Sequence, residues 1–399
     1  MRPVYLDNNA TTRVDPEVVA AMLPFFSDQF GNASSSHAFG SEVAGSIRQA
    51  RKSLQALLGA AFDHEIVFTS GGTESDNAAI LSALETQRGR DEIVTTAVEH
   101  PAILSLVEYL RDERGLTVHL IGVDAAGRLD LDAYKRALGP RTAMWANNET
   151  GALFPVPELA KLAHQAGALF HTDAVQAVGK IAIDLKSAGV DMLSLSGHKL
   201  HGPKGIGVLY VRKGTPFAPL LRGGPQERRR RGGTENVPAI IGLGKAAELA
   251  GQHLADEQGR VRALRNRLER GIIESVGHCA VLGDPTQRLP NTSNIAFQHL
   301  EGEPIVMRLN QAGIAASLGS ACASGSMEPS HVLRAMKVPP DLLRGAVRFS
   351  LSRDTTDDDI TRVLQVLPDI VGRLRETSPA WLQHHPSSSA DPLRSTELT

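Results

Sequence analysis

The stretch Val190-Asp191-Met192-Leu193-Ser194-Leu195-Ser196-Gly197-His198-Lys199 decides how this chain is read. Its apolar run predicts a buried strand. The Ser-Gly-His-Lys that follows then falls at the strand's carboxyl end, where open α/β sheets bind ligands. A lysine placed there, beside a serine and a histidine, points to a Schiff base with pyridoxal phosphate. A surface lysine after a strand is the plainer alternative. The rest of the chain decides between them.

Strands and helices alternate on either side of this stretch. Residues 65–69 read as a strand and 73–84 as a helix. Residues 92–96 read as a strand, then 101–111 as a helix with Pro101 in its first turn. A strand over 141–146, a helix over 157–165 and a strand over 168–172 follow, and 205–211 reads as one more strand after the lysine. The alternation predicts an α/β domain with a mostly parallel sheet. A charged, helix-favouring stretch over 237–275 would join it to a second domain. Beyond it, strands over 294–297 and 348–351 and a helix over 303–311 predict a smaller α+β domain. From about residue 383 the chain is rich in Ser, Pro and His and reads as a frayed tail.

Composition narrows the class. The chain has 399 residues, enough for two cores. Hydrophobic residues make up 42% and charged residues 22%, the balance of a soluble globular protein. A formal net charge of -2 does not suggest a nucleic-acid partner, and the Arg228–Arg231 run reads as a solvated or phosphate-facing loop. No apolar run is long enough for a signal peptide or a membrane span, so a cytoplasmic protein is expected. Cys279 and Cys322 sit in unlike contexts, which argues against a disulfide and for a reducing compartment.

Six constellations carry chemistry. Gly71-Gly72-Thr73-Glu74 lies where a strand gives way to a helix. Its glycines would let backbone N–H groups and the helix dipole approach an anion. No lysine follows the second glycine, so it is not a nucleotide-binding P-loop. His171-Thr172-Asp173-Ala174-Val175-Gln176 ends a strand, and Asp173 there could pair with a protonated pyridine nitrogen. His100, before Pro101, could stack on a flat ring and move protons. Asn148 could donate to the ring oxygen, although Asn147-Asn148-Glu149-Thr150-Gly151 is also a turn signal. Cys322 sits among small residues, Gly319-Ser320-Ala321-Cys322-Ala323-Ser324-Gly325. That context describes an exposed loop and makes Cys322 a candidate nucleophile. Cys279, beside Ala280-Val281-Leu282, reads as a buried structural cysteine. Arg348 opens a strand-like segment, and its guanidinium suits a bidentate grip on a carboxylate. Neither cysteine has metal-ligand spacing.

Taken in order, these segments resemble the cysteine desulfurases, most closely those of the nitrogen-fixation NifS type. That family lies in the class V aminotransferase group of fold type I pyridoxal phosphate enzymes. The resemblance runs from Tyr5-Leu6-Asp7-Asn8-Asn9-Ala10-Thr11-Thr12 to about Arg375. It is most specific at Ser194–Lys199, at Arg231-Gly232-Gly233-Thr234-Glu235-Asn236, and at Gly319–Cys322 with Met327–Met336.

By this resemblance Lys199 is the Schiff-base lysine, and Gly72, Thr73, Ser196 and His198 cradle the cofactor phosphate. Thr234 would reach the phosphate of a neighbouring subunit, which implies a homodimer. Asp173 holds the pyridine nitrogen, His100 stacks on the ring, and Asn148 and Gln176 lie near the ring hydroxyl. Arg348 binds the substrate carboxylate, and Cys322 takes sulfur from L-cysteine as a persulfide, leaving L-alanine. An iron–sulfur scaffold protein, one serving nitrogenase, would receive the sulfur. The implied domains are residues 14–258 for the cofactor, residues 1–13 and 259–380 for the smaller unit with its cysteine loop at about 317–330, and a tail over 381–399. Pro225 and Leu318 depart from common family patterns and would alter loop stiffness, but neither removes a catalytic group.

Rival readings fit fewer residues. Other reactions on the same scaffold have no use for a thiol on a flexible loop. A dinucleotide-dependent oxidoreductase would need Gly-x-Gly-x-x-Gly opening an early helix. A non-enzymatic sulfur carrier would leave Lys199, Asp173 and the glycine turn without a purpose.

Overall fold

Residues 192–196 do form a buried strand, and its side chains show why the sheet around it is covered on both faces. The computed structural model describes residues 2–139, 142–144, 151–318 and 330–385. Four strands form one sheet in the order β2 (Ile66–Thr69), β8 (Gly207–Val211), β7 (Met192–Ser196), β6 (His171–Asp173). Along β7, Leu193 and Leu195 join one core while Met192 joins another; β8 divides Val208 and Tyr210 from Leu209 and Val211 in the same way. Successive strand side chains point to opposite faces, so two apolar faces require near-continuous apolar runs.

A second sheet places β3 (Glu92–Thr96) between β4 (Thr117–Ile121) and β5 (Thr142–Met144), with both pairings parallel. In the first sheet β6 and β7 are parallel, and β8 is antiparallel to both of its neighbours. The mostly parallel arrangement expected from the alternation is present, with β8 as the reversed member. The strand read at 168–172 begins at His171 instead, because Ala168 follows the Gly167 turn at the end of the helix Val156–Gln165.

One face of the first sheet is covered by the helices Ala38–Leu58 and Val237–Asp256. The first buries Val43, Ile47, Ala50, Leu54 and Leu58, a stripe at helical spacing. Its backbone comes very close to the second helix: a Cβ on Gly244 would stand 2.5 Å from Ala50 Cα. Only glycine permits that approach. The opposite face packs on Ala79, Ile80 and Ala83 of the helix Gly72–Thr86 and on Ile103 and Val107 of the helix Pro101–Arg114.

The helix Val237–Asp256 passes through a π-helical turn, Glu257–Val261, into the helix Arg262–Val276. From there a separate core forms. Leu264, Leu268 and Ile272 pack with Ile360, Val363 and Leu367 of the helix Asp357–Thr377. Beneath them lies an antiparallel sheet, β12 (Ala346–Ser350), β10 (Thr292–Phe297), β9 (Cys279–Leu282). The amino-terminal β1 (Val4–Tyr5) pairs with β11 (Ile314–Ala315), and Val4 and Leu6 enter this same core.

Two local readings change. Cys279 is half-buried on the edge strand β9, not fully buried, because β9 has a partner on one side only. The segment read as a tail begins inside a short helix, Pro379–His384, whose Ser378 cap accepts from the Trp381 N–H. Trp381 stacks on His385 at 3.9 Å and lies under the Arg375 guanidinium at 4.2 Å. Residues 386–399 are outside the described residues.

Candidate active site

The carboxyl ends of β2, β6 and β7 and the start of the helix Gly72–Thr86 converge on Lys199. The lysine closes the short 3₁₀ turn Gly197–Lys199 that follows β7. Its Nζ donates to the carbonyls of Asn9 and of Ala10, the latter at 2.7 Å. The amine's pKa is brought down to about 8: burial is the main cause, followed by the charges of Lys180 and Arg348, against which Asp7 and Asp173 work. Ordinary lysine stands near 10.4. An amine so placed is poised to attack a carbonyl at near-neutral pH.

Asp173 lies at the end of β6, 5% exposed, with one carboxylate oxygen accepting from the Val175 N–H at 2.8 Å. Burial pushes its carboxyl up, while that bond and the Lys199 charge favour its ionised form. A ring cation set against it would do the same more strongly. Behind it is a polar array. His171 Nε2 lies 2.7 Å from Ser194 Oγ and 3.5 Å from Asp76 Oδ1. Asp76 is fully buried, and burial together with Asp173 holds its carboxyl well above the usual range. Burial takes the His171 imidazole down to about 3, so it is neutral.

His100 caps the helix Pro101–Arg114, its Nδ1 accepting from the Ala102 N–H at 3.1 Å. A lone pair used in this way leaves the neutral ring's proton on Nε2. Burial, and then the charges of Lys199 and His331, lower the ring's proton affinity. His331 Nε2 in turn donates to the Glu99 carbonyl at 2.9 Å.

The anion cradle is built from backbone. The helix starts at Gly72, one residue earlier than read, with Gly71 as its cap and Thr73 exposed in its first turn. Strand β8 runs against this turn: a Cβ on Gly207 would lie 2.7 Å from Gly71 Cα. A side chain at 207 would push the turn off the sheet. Ser196, buried, ends β7 opposite Gly207. His198 adjoins it, with Nδ1 3.1 Å from Thr11 Oγ1 and its carbonyl accepting from the Thr12 N–H. Burial, then the charges of Lys199, Lys204 and Lys180, take that imidazole to about 4. Arg231 reaches Glu74 on the same helix at 3.0 Å. Burial opposes the Glu74 charge, but bonds from Arg231 and Ser70 hold its carboxyl below the ordinary range.

Arg348, 6% exposed in β12, donates to Asp7 Oδ1 at 3.1 Å. Its backbone exchanges hydrogen bonds with Ser317. Ser317 is thus bonded to the arginine, and His331 to the residue before His100. Gln176 donates to the Asn9 carbonyl at 2.9 Å, and its buried Oε1 has no partner among the described residues. Thr234 is exposed on the surface. Asn148 and Cys322 lie outside the described residues. Among the described residues no group of three His, Cys, Asp or Glu is arranged to hold a metal ion, and no helix is long and apolar enough to cross a membrane.

The residues present fit a phosphorylated pyridine aldehyde. A helix N-terminus with two glycines faces the phosphate end, a buried carboxylate suits the ring nitrogen, and the orphaned Gln176 oxygen suits the ring hydroxyl. The Lys199 amine suits the aldehyde. Asp7, Asn9, Lys180 and Asp76 also shape the site, and sequence patterns alone did not single them out. The Asp7–Asn9 signal was present, since those residues fall in a matched segment, but chain spacing does not reveal that their carbonyls and carboxylate turn toward a lysine far along the chain.

Fold and site together define a fold type I pyridoxal phosphate enzyme. The family model of the class-V aminotransferases matches residues 4–363. A cysteine desulfurase of Gluconacetobacter diazotrophicus is 68% identical, with 96% of each chain covered. The cysteine desulfurase NifS of Azotobacter vinelandii is 60% identical, with 97% of each chain covered. A solved NifS-like protein superposes with a TM-score of 0.87 at 35% identity, covering 93% of this chain and 100% of its own. The chain therefore belongs to the class-V aminotransferase family, among its cysteine desulfurases of NifS type.

The Lys199 amine makes a prediction about pH. Capture of added pyridoxal phosphate by the apoprotein requires the neutral amine. At pH 7 a pKa of about 8 in place of 10.5 gives on the order of 300 times more of it. Stopped-flow absorbance across pH 6–10 should show the capture rate levelling off above pH 8. A rate still climbing tenfold per unit between pH 9 and 10 contradicts the assignment.

Proposed function

We propose that this cysteine desulfurase carries pyridoxal phosphate on Lys199, moves sulfur from L-cysteine to Cys322, and passes it to an iron–sulfur scaffold, one serving nitrogenase. The observation that carries the reading is the half-buried Lys199 amine, which shares one electrostatic site with Asp173 and Arg348. When bound, the cofactor supplies an aldehyde for the substrate amine and a ring that takes up the electron pair released at Cα.

The chain's own residues do the rest. Asp173 would keep the ring nitrogen protonated through its buried negative charge. Gly72, Thr73, Ser196 and His198 would hold the phosphate, and Asn148 and Gln176 the ring hydroxyl. Arg348 grips the substrate carboxylate, and the Lys199 amine accepts the Cα proton. His100 would stack on the ring and supply a proton from Nε2. At Cys322, Sγ bonds to the substrate sulfur as the C–S bond breaks; the thiol proton stays with the products, which are L-alanine and a cysteine persulfide. No oxidant or reductant is consumed.

A homodimer in the cytoplasm is part of the same reading. Leu23, Phe26, Phe30 and Phe39 are each more than half exposed and lie near one another in sequence, with the rings of Phe30 and Phe39 at 5.7 Å. Aromatic side chains left in water are the usual mark of a partner surface. Thr234, exposed, is available to a neighbour. The division into residues 14–258, and 1–13 with 259–380, is supported by the core that gathers Val4 and Leu6 with Val261, Leu264 and Val371, and completes the proposal.

Mass spectrometry after addition of L-cysteine tests the central claim. A gain of one sulfur atom on the peptide containing Cys322 is expected. A gain elsewhere, or none while alanine accumulates, overturns it. Arg348→Gln should raise KM for L-cysteine about 10- to 100-fold, since a bond to a charged group is lost. Steady-state alanine production measures this, and an unchanged KM removes Arg348 from the carboxylate site.

A further inference from the structure

A second lysine stands beside the first. Lys180 follows the Gln176 turn, is 6% exposed, and donates from Nζ to the Gln176 carbonyl at 3.0 Å. A cavity of about 20 Å³ lies against it, lined also by Lys199, Asn8, Thr12, His201 and Glu257. That is room for one water, and the lining is polar enough to hold it. Glu257 is 6% exposed, and its buried Oε2 has no hydrogen-bond partner among the described residues. It opens the π-helical turn Glu257–Val261 that links the two cores. A π turn displaces one residue from the regular helical ladder, and such turns recur at functional sites.

We propose that Lys180 is a positioning residue for the reaction: held opposite Glu257 around a one-water cavity, its buried charge repels a proton from the Lys199 nitrogen and keeps that nitrogen reactive near neutral pH. The inference rests on Lys199 being the cofactor lysine. Apart from burial, Lys180 is the foremost influence lowering proton affinity at Lys199, and it acts in the same sense on His198 and His201. Burial brings Lys180 itself down to about 8, and Glu257 is the charge that supports it. Glu257 is raised to about 7, by burial first, with Lys180 and Arg353 favouring its ionised form and Asp256 opposing it. His253 lines the cavity as well. The pair is therefore most fully charged between pH 7 and 8. Below that range Glu257 gains a proton and the support of Lys180 is lost.

The test uses cofactor-loaded protein. The midpoint of the pH-dependent change in cofactor absorption is measured for wild type, Lys180→Met, Lys180→Arg and Glu257→Gln. Lys180→Met should move the midpoint up by about one unit, a tenfold gain in proton affinity. Lys180→Arg should return it close to wild type. Glu257→Gln removes the support for the Lys180 charge, so its midpoint also moves up. It keeps the side chain's shape and carries the test if the Lys180 variants do not fold. An unmoved or lowered midpoint in a folded, loaded Lys180→Met protein, or in Glu257→Gln if that is the variant obtained, overturns the proposal. Borohydride reduction and peptide mapping distinguish this failure from a failure of its premise: label away from Lys199 would show that the cofactor lysine is misassigned.

Discussion

Lys199→Ala is expected to lose all covalent attachment of pyridoxal phosphate and to cut L-cysteine turnover on the order of 10⁴-fold or more, because in the proposed function one amine serves as both anchor and base. The anchor role follows from placement. Lys199 Nζ is held by the Asn9 and Ala10 carbonyls, which aim it without neutralising it. The base role follows from electrostatics: an amine near pKa 8 changes protonation within the working range. Truncation to alanine removes both and leaves the Asp173 charge and the glycine cradle intact. The variant should therefore still bind the cofactor weakly by its phosphate and ring. Absorbance after gel filtration, with and without borohydride, measures the attachment; alanine release measures turnover. Covalent label on a folded Lys199→Ala protein would exclude this lysine as the anchor. Added methylamine should restore part of the turnover, as expected for a missing amine and not for a collapsed site.

Cys322→Ala should separate two halves of the reaction. Everything described around the cofactor lies on other segments, so cofactor content and the change in cofactor absorption on adding L-cysteine should persist. Sulfide released in the presence of a thiol reductant should fall on the order of 10³-fold or more, since no other thiol is placed to take the sulfur. Cys279 is a poor substitute: it lies on the edge strand β9, and burial raises its thiol pKa, which diminishes the thiolate that attacks. The segment bearing Cys322 leaves the sheet at Ser317, which is bonded to the Arg348 backbone. Ser317 thus ties the described end of that segment to the arginine proposed for the substrate carboxylate. Wild-type sulfide release from Cys322→Ala would end the persulfide assignment.

Residues 190–199 show how far local pattern reaches. An apolar run that ends in Ser-Gly-His-Lys must be a strand if it is to bury both faces, and the lysine must then emerge at the strand's end. The alternation of strand and helix patterns around it likewise implied the parallel sheet, and the glycine turn before the helix Gly72–Thr86 marked the anion end. Asp173 was legible because it terminates a strand in the same sheet. These inferences succeed because side-chain periodicity and helix-start chemistry act over a few residues.

The rest required three dimensions. Asp7, Asn9 and Ala10 come from the amino terminus, yet they surround a lysine almost two hundred positions on. Asp76, His171 and Ser194 meet only because β6 and β7 pair and the helix Gly72–Thr86 crosses beneath them. Lys180 and Glu257 are unremarkable in sequence, one after a turn and the other within a long helix. Burial around a shared cavity is what makes their charges strong. Charge strength depends on the surrounding dielectric, which is a property of packing density and not of residue order. Motif, periodicity and family resemblance therefore named the candidate groups for the reaction; the folded core sets how strongly each one holds its proton.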